Sequence, residues 1–539
     1  MSTFKKYDAF KKLEQLSKKP IDLTGKGVLT ASRIAQMNLS ACGWKMLYAT
    51  ERVDDGVVDQ LLMMAKEACV FQKMADMQDM KTMNFVRGCK SEDRMVGHTA
   101  IRAESLAKNA SNQAKQANSD ALKELEKLEQ FLEHTKEFRH MVVCGIGGSY
   151  LGALAISKAL KGLHKSNRTI HFASNIDPDK IGSILDEIDL SKTIVAVISK
   201  SGGTMEIMAQ EIMLKNHFLA KGLDPKEHFV MVTGKASPMD TPLLYKKIFY
   251  IWDFIGGRYS VSSMVGAVPI GFICGMSVWK EFLKGASDMD FHTLHETNMR
   301  KNMPLMGALL GIWNRNFLGL ETLCILPYSS SLDLWSGHIQ QLYMESNGKS
   351  VQQEGGEFVD YGTCPVIFGT CGTEGQHSYF QAIHQGTTCV PMEYIGFLHP
   401  QRMGDQKIEG SFNQEKLLAN LFAQCISLAR GKGSDNHNQV FPGNRPSRML
   451  VTNSLSAYSM GALLAYYEAV AVFQGFIWGI NSFDQEGVQL GKLIANSIVE
   501  EYKHFHKTGK YSEGKELEVE IAFMKEMACL EKKSKAQSA

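Results

Sequence analysis

The chain has 539 residues, more than one hydrophobic core usually organises, so two domains are expected. Hydrophobic residues make up 44% and charged residues 22%, the proportions of a soluble globular protein. Lys plus Arg number 59 against 57 Asp plus Glu, a net charge of +2 that argues against a broad nucleic-acid surface and leaves any bound anion to local groups.

The start, MSTFKKYDAFKKLEQ, is polar and lysine-rich with no apolar stretch behind it, so no signal peptide is expected. Residues 1 to about 140 read as helical. SNQAKQANSDALKELEKLEQFLEHTKEF is built of good helix formers, and Met63, Met64, Met74, Met77, Met80 and Met83 are mostly three apart, as on a helix face packed into a core.

The period then changes. HMVVCGIGGS, TIHFASN, TIVAVISKS, HFVMVTGK and KKIFYIWDF are short, apolar and β-branched, and they alternate with helical stretches at 150–163, 178–188, 204–221 and 238–245. Strands apolar on both faces indicate parallel pairing between helical layers, so 141–254 reads as a doubly wound sheet, with helix from about 261 to 286. A second block starts after 287. ETLCILPYS, CPVIFGT and TTCVPMEYIGF read as strands, with helices at 333–347, 376–385 and 411–430 and two long apolar helices at 454–478 and 484–505. The fold class expected is α/β, with two doubly wound parallel-sheet units, each a three-layer αβα arrangement. The expected domains are an N-terminal helical region (1–118) packing on the larger domain, α/β domains at 119–286 and 287–506, and a tail (507–539) whose end, EKKSKAQSA, is frayed. Eleven cysteines with no CxxC pair read as buried thiols in a reducing compartment, and apolar runs such as MVGAVPIGFICGMSVW are too short and glycine-dotted to span a membrane. A cytoplasmic location is expected.

Two glycine turns carry the first hint of chemistry. VVCGIGGSYLG runs from strand through turn to helix. Gly145 and Gly147 fit the first two positions of G-x-G-x-x-G, but Tyr150 occupies the third, and the next strand ends on Asn175 rather than an acid. The pattern G-x-x-x-x-G-K-[ST] is absent as well. That leaves Gly148 and Ser149 at a helix start suited to one small phosphate. Such a turn alone is often mere packing, but AVISKSGGTMEI repeats the arrangement with Ser199, Lys200, Ser201 and Thr204, an anion cradle at the carboxyl end of a parallel strand. A polar capping loop that binds nothing is the alternative. His and Cys spacing supplies no metal ligand set, so neither a metal nor another cofactor is expected.

Six segments, in order, resemble the phosphoglucose isomerase family over residues 91 to 505: SEDRMVGHTAIR, GIGGSYLG with SKSGGTME, DFIGGRYSVSSMVG, ESNGKS, GTEGQH and GFIWGINSFDQEGVQLGK. The resemblance implies two sugar-isomerase-type (SIS) α/β units and interconversion of glucose 6-phosphate and fructose 6-phosphate through ring opening and an enediolate. It implies Glu345 as the proton shuttle between C2 and C1 and His377 in ring opening, supplied by the neighbouring subunit of a homodimer whose active site lies at the interface. It implies Lys492 as an aid to ring opening and Gln485 as a substrate ligand. Arg258, after Gly256 and Gly257, can stabilise the enediolate; pairing with Asp253 is the alternative. Glu206 could orient His377, and His384 reads as packing or polar support. Phe368 and Thr370 stand where relatives often have Trp and Glu, Gly97 where a larger apolar residue is usual, and Glu486 where the residue is often aromatic. Two other readings are weighed. One is a non-catalytic sugar-phosphate sensor, which needs only the cradle. The other is an isomerase of mannose 6-phosphate or an amino sugar.

Overall fold

The computed structural model describes residues 3–104, 106, 109–165, 167–512 and 517–537, with side chains up to 528. The chain divides into two units, Met1–Asp484 and Gln485–Ala539.

The N-terminal region is not purely helical. Two short strands, β1 (Asn38–Ala41) and β2 (Trp44–Leu47), form a hairpin in which Ala41 faces Trp44. The connecting pair, Cys42 and Gly43, sits at φ 48° and 76°, the left-handed conformation that two-residue hairpin turns require. Cysteine is an unusual first residue for such a turn, so composition gives no warning of it. The methionine stripe packs as expected: Met64, Met74, Met77, Met80 and Met83 are buried, and Met63 alone is exposed.

The first sheet contains β3 (His140–Cys144), β4 (Thr169–Ala173), β5 (Thr193–Ser199), β6 (Phe229–Gly234) and β7 (Lys247–Ile251). All pair in parallel, in the order β4-β3-β5-β6-β7. Every residue of β5 is buried, which is why its sequence is apolar without alternation. From β3 the chain moves outward to β4 and then back across to β5, so a crevice opens beyond the carboxyl ends of β3 and β5. Both glycine turns lie there, each leading into a helix: α1 (Leu151–Ala159) and α2 (Met205–Ala220). The helix expected at 238–245 is only a 3-10 turn, Pro242–Leu244. The stretch expected as one helix from 261 to 286 is two, α3 (Met264–Ile273) and α4 (Met276–His295), parted by Gly275 at φ 99°.

The second sheet contains β8 (Thr322–Pro327), β9 (Val366–Phe368), β10 (Met392–Phe397) and β11 (Ser447–Thr452), parallel, in the order β1-β2-β11-β10-β8-β9. It is therefore mixed, because the N-terminal hairpin adds its strands antiparallel to β11. Strand β11 has no counterpart in the sequence reading. It carries a buried Arg448, which bonds Glu393 of β10 and lies 3.4 Å from Glu51. A charge near the start of a short strand hides its apolar pattern.

Helix α5 (Trp335–Asn347) follows β8 and runs back along the sheet. Ser336 donates to the carbonyl of Ile325, near the carboxyl end of β8, and Gln340 to that of Ile367 in β9. Cys364, ahead of β9, donates its amide to the carbonyl of Asn347. Helix α6 (Ala457–Trp478) is long and apolar enough to cross a membrane, but all of its apolar stretch is buried inside the protein. In the second unit the helix expected from 484 begins later, as α7 (Gln489–Thr508), and the tail continues as α8 (Glu518–Gln537) instead of fraying at residue 531. The expected boundaries at 118/119, 286/287 and 506/507 each fall inside a helix.

Candidate active site

The site begins where two backbone turns touch. After β3 the chain passes through Gly147, at φ 56°, into the turn Gly147–Ser149. A side chain on Gly148 would place its Cβ 2.2 Å from the carbonyl carbon of Gly257, so only glycine allows the contact. At Gly257 the nearest atom to such a Cβ would be 3.8 Å away, an ordinary distance, so the close approach constrains Gly148 and not its partner. Ser260 donates to the Gly148 carbonyl at 3.2 Å and fixes the crossing. Arg258 is thereby delivered beside the first glycine turn, with Ser149 half-buried at its edge.

The second turn makes a cup of hydroxyls. Ser199 is buried at the end of β5, its Oγ 3.4 Å from Oγ1 of Thr204. Thr204 precedes α2 but caps no backbone amide with its side chain, so its hydroxyl is not spent on the helix. Ser201 is exposed. Gly202, at φ 64°, packs close to Ser237 and Met239. Lys200 behaves differently from the expectation of a phosphate ligand. Its ammonium donates to the carbonyl of Ile255 at 2.9 Å and so braces the loop that carries Arg258. Burial, with Arg94 close by, lowers its pKa.

Arg258 and Glu345 meet at the end of α5. The guanidinium is fully buried and bound on two edges: Nε donates to Ser346 Oγ at 2.6 Å, and Nη2 donates to the carbonyls of Ser482 and Asp484 at 2.6 and 3.0 Å. The third nitrogen, Nη1, has no hydrogen-bond partner among the described residues and lies 3.4 Å from Oε1 of Glu345. Asp253 is not a partner of Arg258, which removes the pairing considered as the alternative. The Glu345 side chain keeps 19% exposure, enough to be reached from solvent.

Two residues the sequence reading passed over complete this corner. Gln341, one turn earlier on α5, donates to Glu345 Oε2 at 2.9 Å. Lys349 lies just past Gly348, donates to the last carbonyls of the helix, including that of Glu345 at 2.7 Å, and pairs with Asp484 at 3.1 Å. Burial, with Arg258 close by, pulls the Lys349 ammonium down to about 8. A basic residue next to a helix-ending glycine is a signal of carbonyl capping that could have marked it.

His377 is elsewhere. It ends the short helix Gly372–Gln376; the stretch expected as one helix over 376–385 breaks around it and resumes as Phe380–Gln385. Its neighbour Gln376 donates at 2.7 Å to the hydroxyl of Tyr328, just past the carboxyl end of β8. Glu345 lies at the other end of that strand, beside the residues that precede β9. The six residues of β8 span roughly 20 Å, so within one chain Glu345 and His377 occupy opposite ends of the second sheet. The ring of His377 is exposed and makes no hydrogen bond among the described residues. His384 bonds Gln424 at 2.8 Å, the polar support expected of it. His98 is buried and stacked 4.7 Å from Tyr259, and burial holds its pKa well below the usual imidazole range. Glu206 is half-buried in the first turn of α2 with no ion pair.

In the second unit Gln485 leads into the 3-10 turn Glu486–Val488, and Lys492 is exposed in the first turn of α7. Of the unusual residues, Gly97 has a clear cause: a Cβ there would sit 2.6 Å from the ring of Phe254. Phe368 packs edge-on against Tyr379, and Thr370 bonds the hydroxyl of that tyrosine at 3.0 Å. Among the described residues no cluster of His, Cys, Asp and Glu could hold a metal ion.

A family model for phosphoglucose isomerase matches residues 47–516. The chain is 47% identical to a glucose-6-phosphate isomerase of Protochlamydia amoebophila, over 95% of each chain. It is 46% identical to one of Chlamydia caviae, over 94% of this chain and 96% of that one. The crystal structure of a glucose-6-phosphate isomerase from Chlamydia trachomatis superposes with a TM-score of 0.91 at 45% identity, covering 92% of this chain and 96% of that one. A hypothetical protein from Thermus thermophilus shares the fold, with a TM-score of 0.64 at 23% identity over 82% of this chain and 97% of that one.

Proposed function

The chain belongs to the phosphoglucose isomerase family, and from that premise we propose which residues carry the reaction by which it interconverts glucose 6-phosphate and fructose 6-phosphate. Ser149, Ser199, Ser201 and Thr204 hold the phosphate in the crevice beyond β3 and β5, with the backbone of Gly148 and Lys200 lining it and Gln485 contacting the sugar. His377 of one subunit and Lys492 open the ring. Glu345 then removes the proton on C2; the electron pair of that bond forms the C1–C2 double bond and the charge moves to O1. Protonated Glu345 returns the proton to C1, while a hydroxyl proton passes from O2 to O1. Arg258 faces the oxygen that becomes negative.

The observation that carries this reading is the buried Nη1 of Arg258, a cationic donor without a hydrogen-bond partner, 3.4 Å from the Glu345 carboxylate. A preorganised charge of this kind is worth most where charge develops during the reaction. The same reading makes the enzyme a cytoplasmic homodimer of glycolysis and gluconeogenesis. The separation of Glu345 from His377 supports that assembly, since one chain cannot bring both to a single hexose. Incubation with fructose 6-phosphate in D₂O tests the chemistry. Glucose 6-phosphate carrying deuterium at C2 is expected, and Glu345→Gln should slow the appearance of both product and label by roughly 10³-fold or more. Undiminished labelling by that variant would count against the assignment.

A further inference from the structure

We propose that Ser346 is a positioning residue for the reaction: its hydroxyl sets the guanidinium of Arg258 in register with the carboxylate of Glu345. The inference rests on the reading of Arg258 as the partner of the enediolate.

Arg258 and Glu345 arrive from different halves of the molecule, one on the loop after β7 and the other on α5. Their relative position must be fixed by something that touches both. Ser346 is bonded covalently to Glu345 and accepts from Arg258 Nε at 2.6 Å. It is completely buried, so no water replaces the contact. The hydroxyl of Tyr259 lies 2.8 Å from the same oxygen and completes its bonding. The opposite edge of the guanidinium rests on two backbone carbonyls, of Ser482 and Asp484. Among the described residues Ser346 is the side chain that accepts a short hydrogen bond from the Nε edge of Arg258. Without it the ion would pivot about its carbonyl edge to find another acceptor for Nε. That pivot carries Nη1 away from the reacting oxygen, while the phosphate cradle, on the other wall, is untouched.

A merely structural serine and a positioning one predict different kinetics. For Ser346→Ala, kcat should fall about 30-fold, the scale of a displaced rather than a deleted oxyanion donor, with KM for fructose 6-phosphate within about twofold of the parent. A hydroxamate that mimics the enediolate should lose affinity by the same factor as kcat, and a phosphorylated hexitol that mimics the open-chain ground state should not. Arg258→Ala should be more severely impaired, and adding Ser346→Ala to it should cost nothing further. Ser346→Cys keeps an acceptor at the position, though a larger and weaker one; it should show a smaller loss with the same split, and it is read in the same way if the alanine variant does not fold. Parental kcat in a folded Ser346 variant, or a hexitol affinity that falls as far as kcat, overturns the positioning role. If Arg258→Ala itself keeps parental kcat, the reading of Arg258 falls instead.

Discussion

The two ends of the second sheet give the proposed catalytic residues opposite environments. At one end Arg258 is buried and tied by three hydrogen bonds, and Glu345 is held by Gln341 and faces a single unspent nitrogen. At the other, His377 is exposed, its ring tied to nothing among the described residues. The first pair is preorganised within one chain, as a group that must stabilise developing charge needs to be. An untied surface imidazole has no such environment of its own. On the proposed reading, half of the machinery is finished by folding and the other half only by association.

The comparison breaks first at Glu345. Glu345→Gln preserves the shape of the corner and removes its base, so kcat should fall by roughly 10³- to 10⁴-fold while binding of a phosphorylated inhibitor stays near that of the parent. A variant that keeps most of its turnover would take the carboxylate out of the mechanism. The loss for His377→Ala should be smaller, on the order of 10²-fold for the closed-ring sugar, and smaller again for an open-chain substrate. Equal losses on both substrates would count against a ring-opening role. The two variants together sharpen the contrast. If the site is shared between copies, unfolding and refolding a 1:1 mixture gives heterodimers with one intact site, and activity should recover to about a quarter of the parent. A mixture no more active than its components would mean that each chain carries a whole site.

What the sequence reveals about these two ends differs for physical reasons. The central strands of the first sheet, β5 and β6, are legible because burial on both faces makes them nearly uniformly apolar. The glycine turns are legible because such backbone contacts tolerate little else, as Gly148 against Gly257 shows. Strand β11 is not, since Arg448 replaces an apolar residue with an internal ion pair, and the hairpin β1–β2 turns on an unannounced Cys-Gly. Around the site, Glu345, Arg258 and His377 are marked by the resemblance of their segments. The roles of Gln341, Lys349 and Ser346 depend on what approaches them in space, and a polar residue on a helix looks the same whether it meets solvent or a guanidinium. For the same reason Lys200 reads from sequence as a phosphate ligand and turns out to brace a loop.

The smallest effect tests the wall that neither end of the second sheet supplies. Thr204→Ala removes a hydroxyl that does not cap α2, so the helix should lose little and the melting temperature should move by no more than about two degrees. On the proposed reading it also removes one hydrogen bond to a charged oxygen, worth about 1.5–3 kcal/mol. Affinity for a phosphorylated hexitol, measured by calorimetry, should therefore drop by roughly 10- to 100-fold, whereas kcat at saturation should change by less than about threefold, because the phosphate is bound alike before and during the reaction. If affinity is unchanged, the phosphate does not sit among Ser199, Ser201 and Thr204. If kcat falls as far as affinity, the cradle also helps to orient the reacting carbons, and phosphate binding can no longer be separated from the chemistry at Glu345.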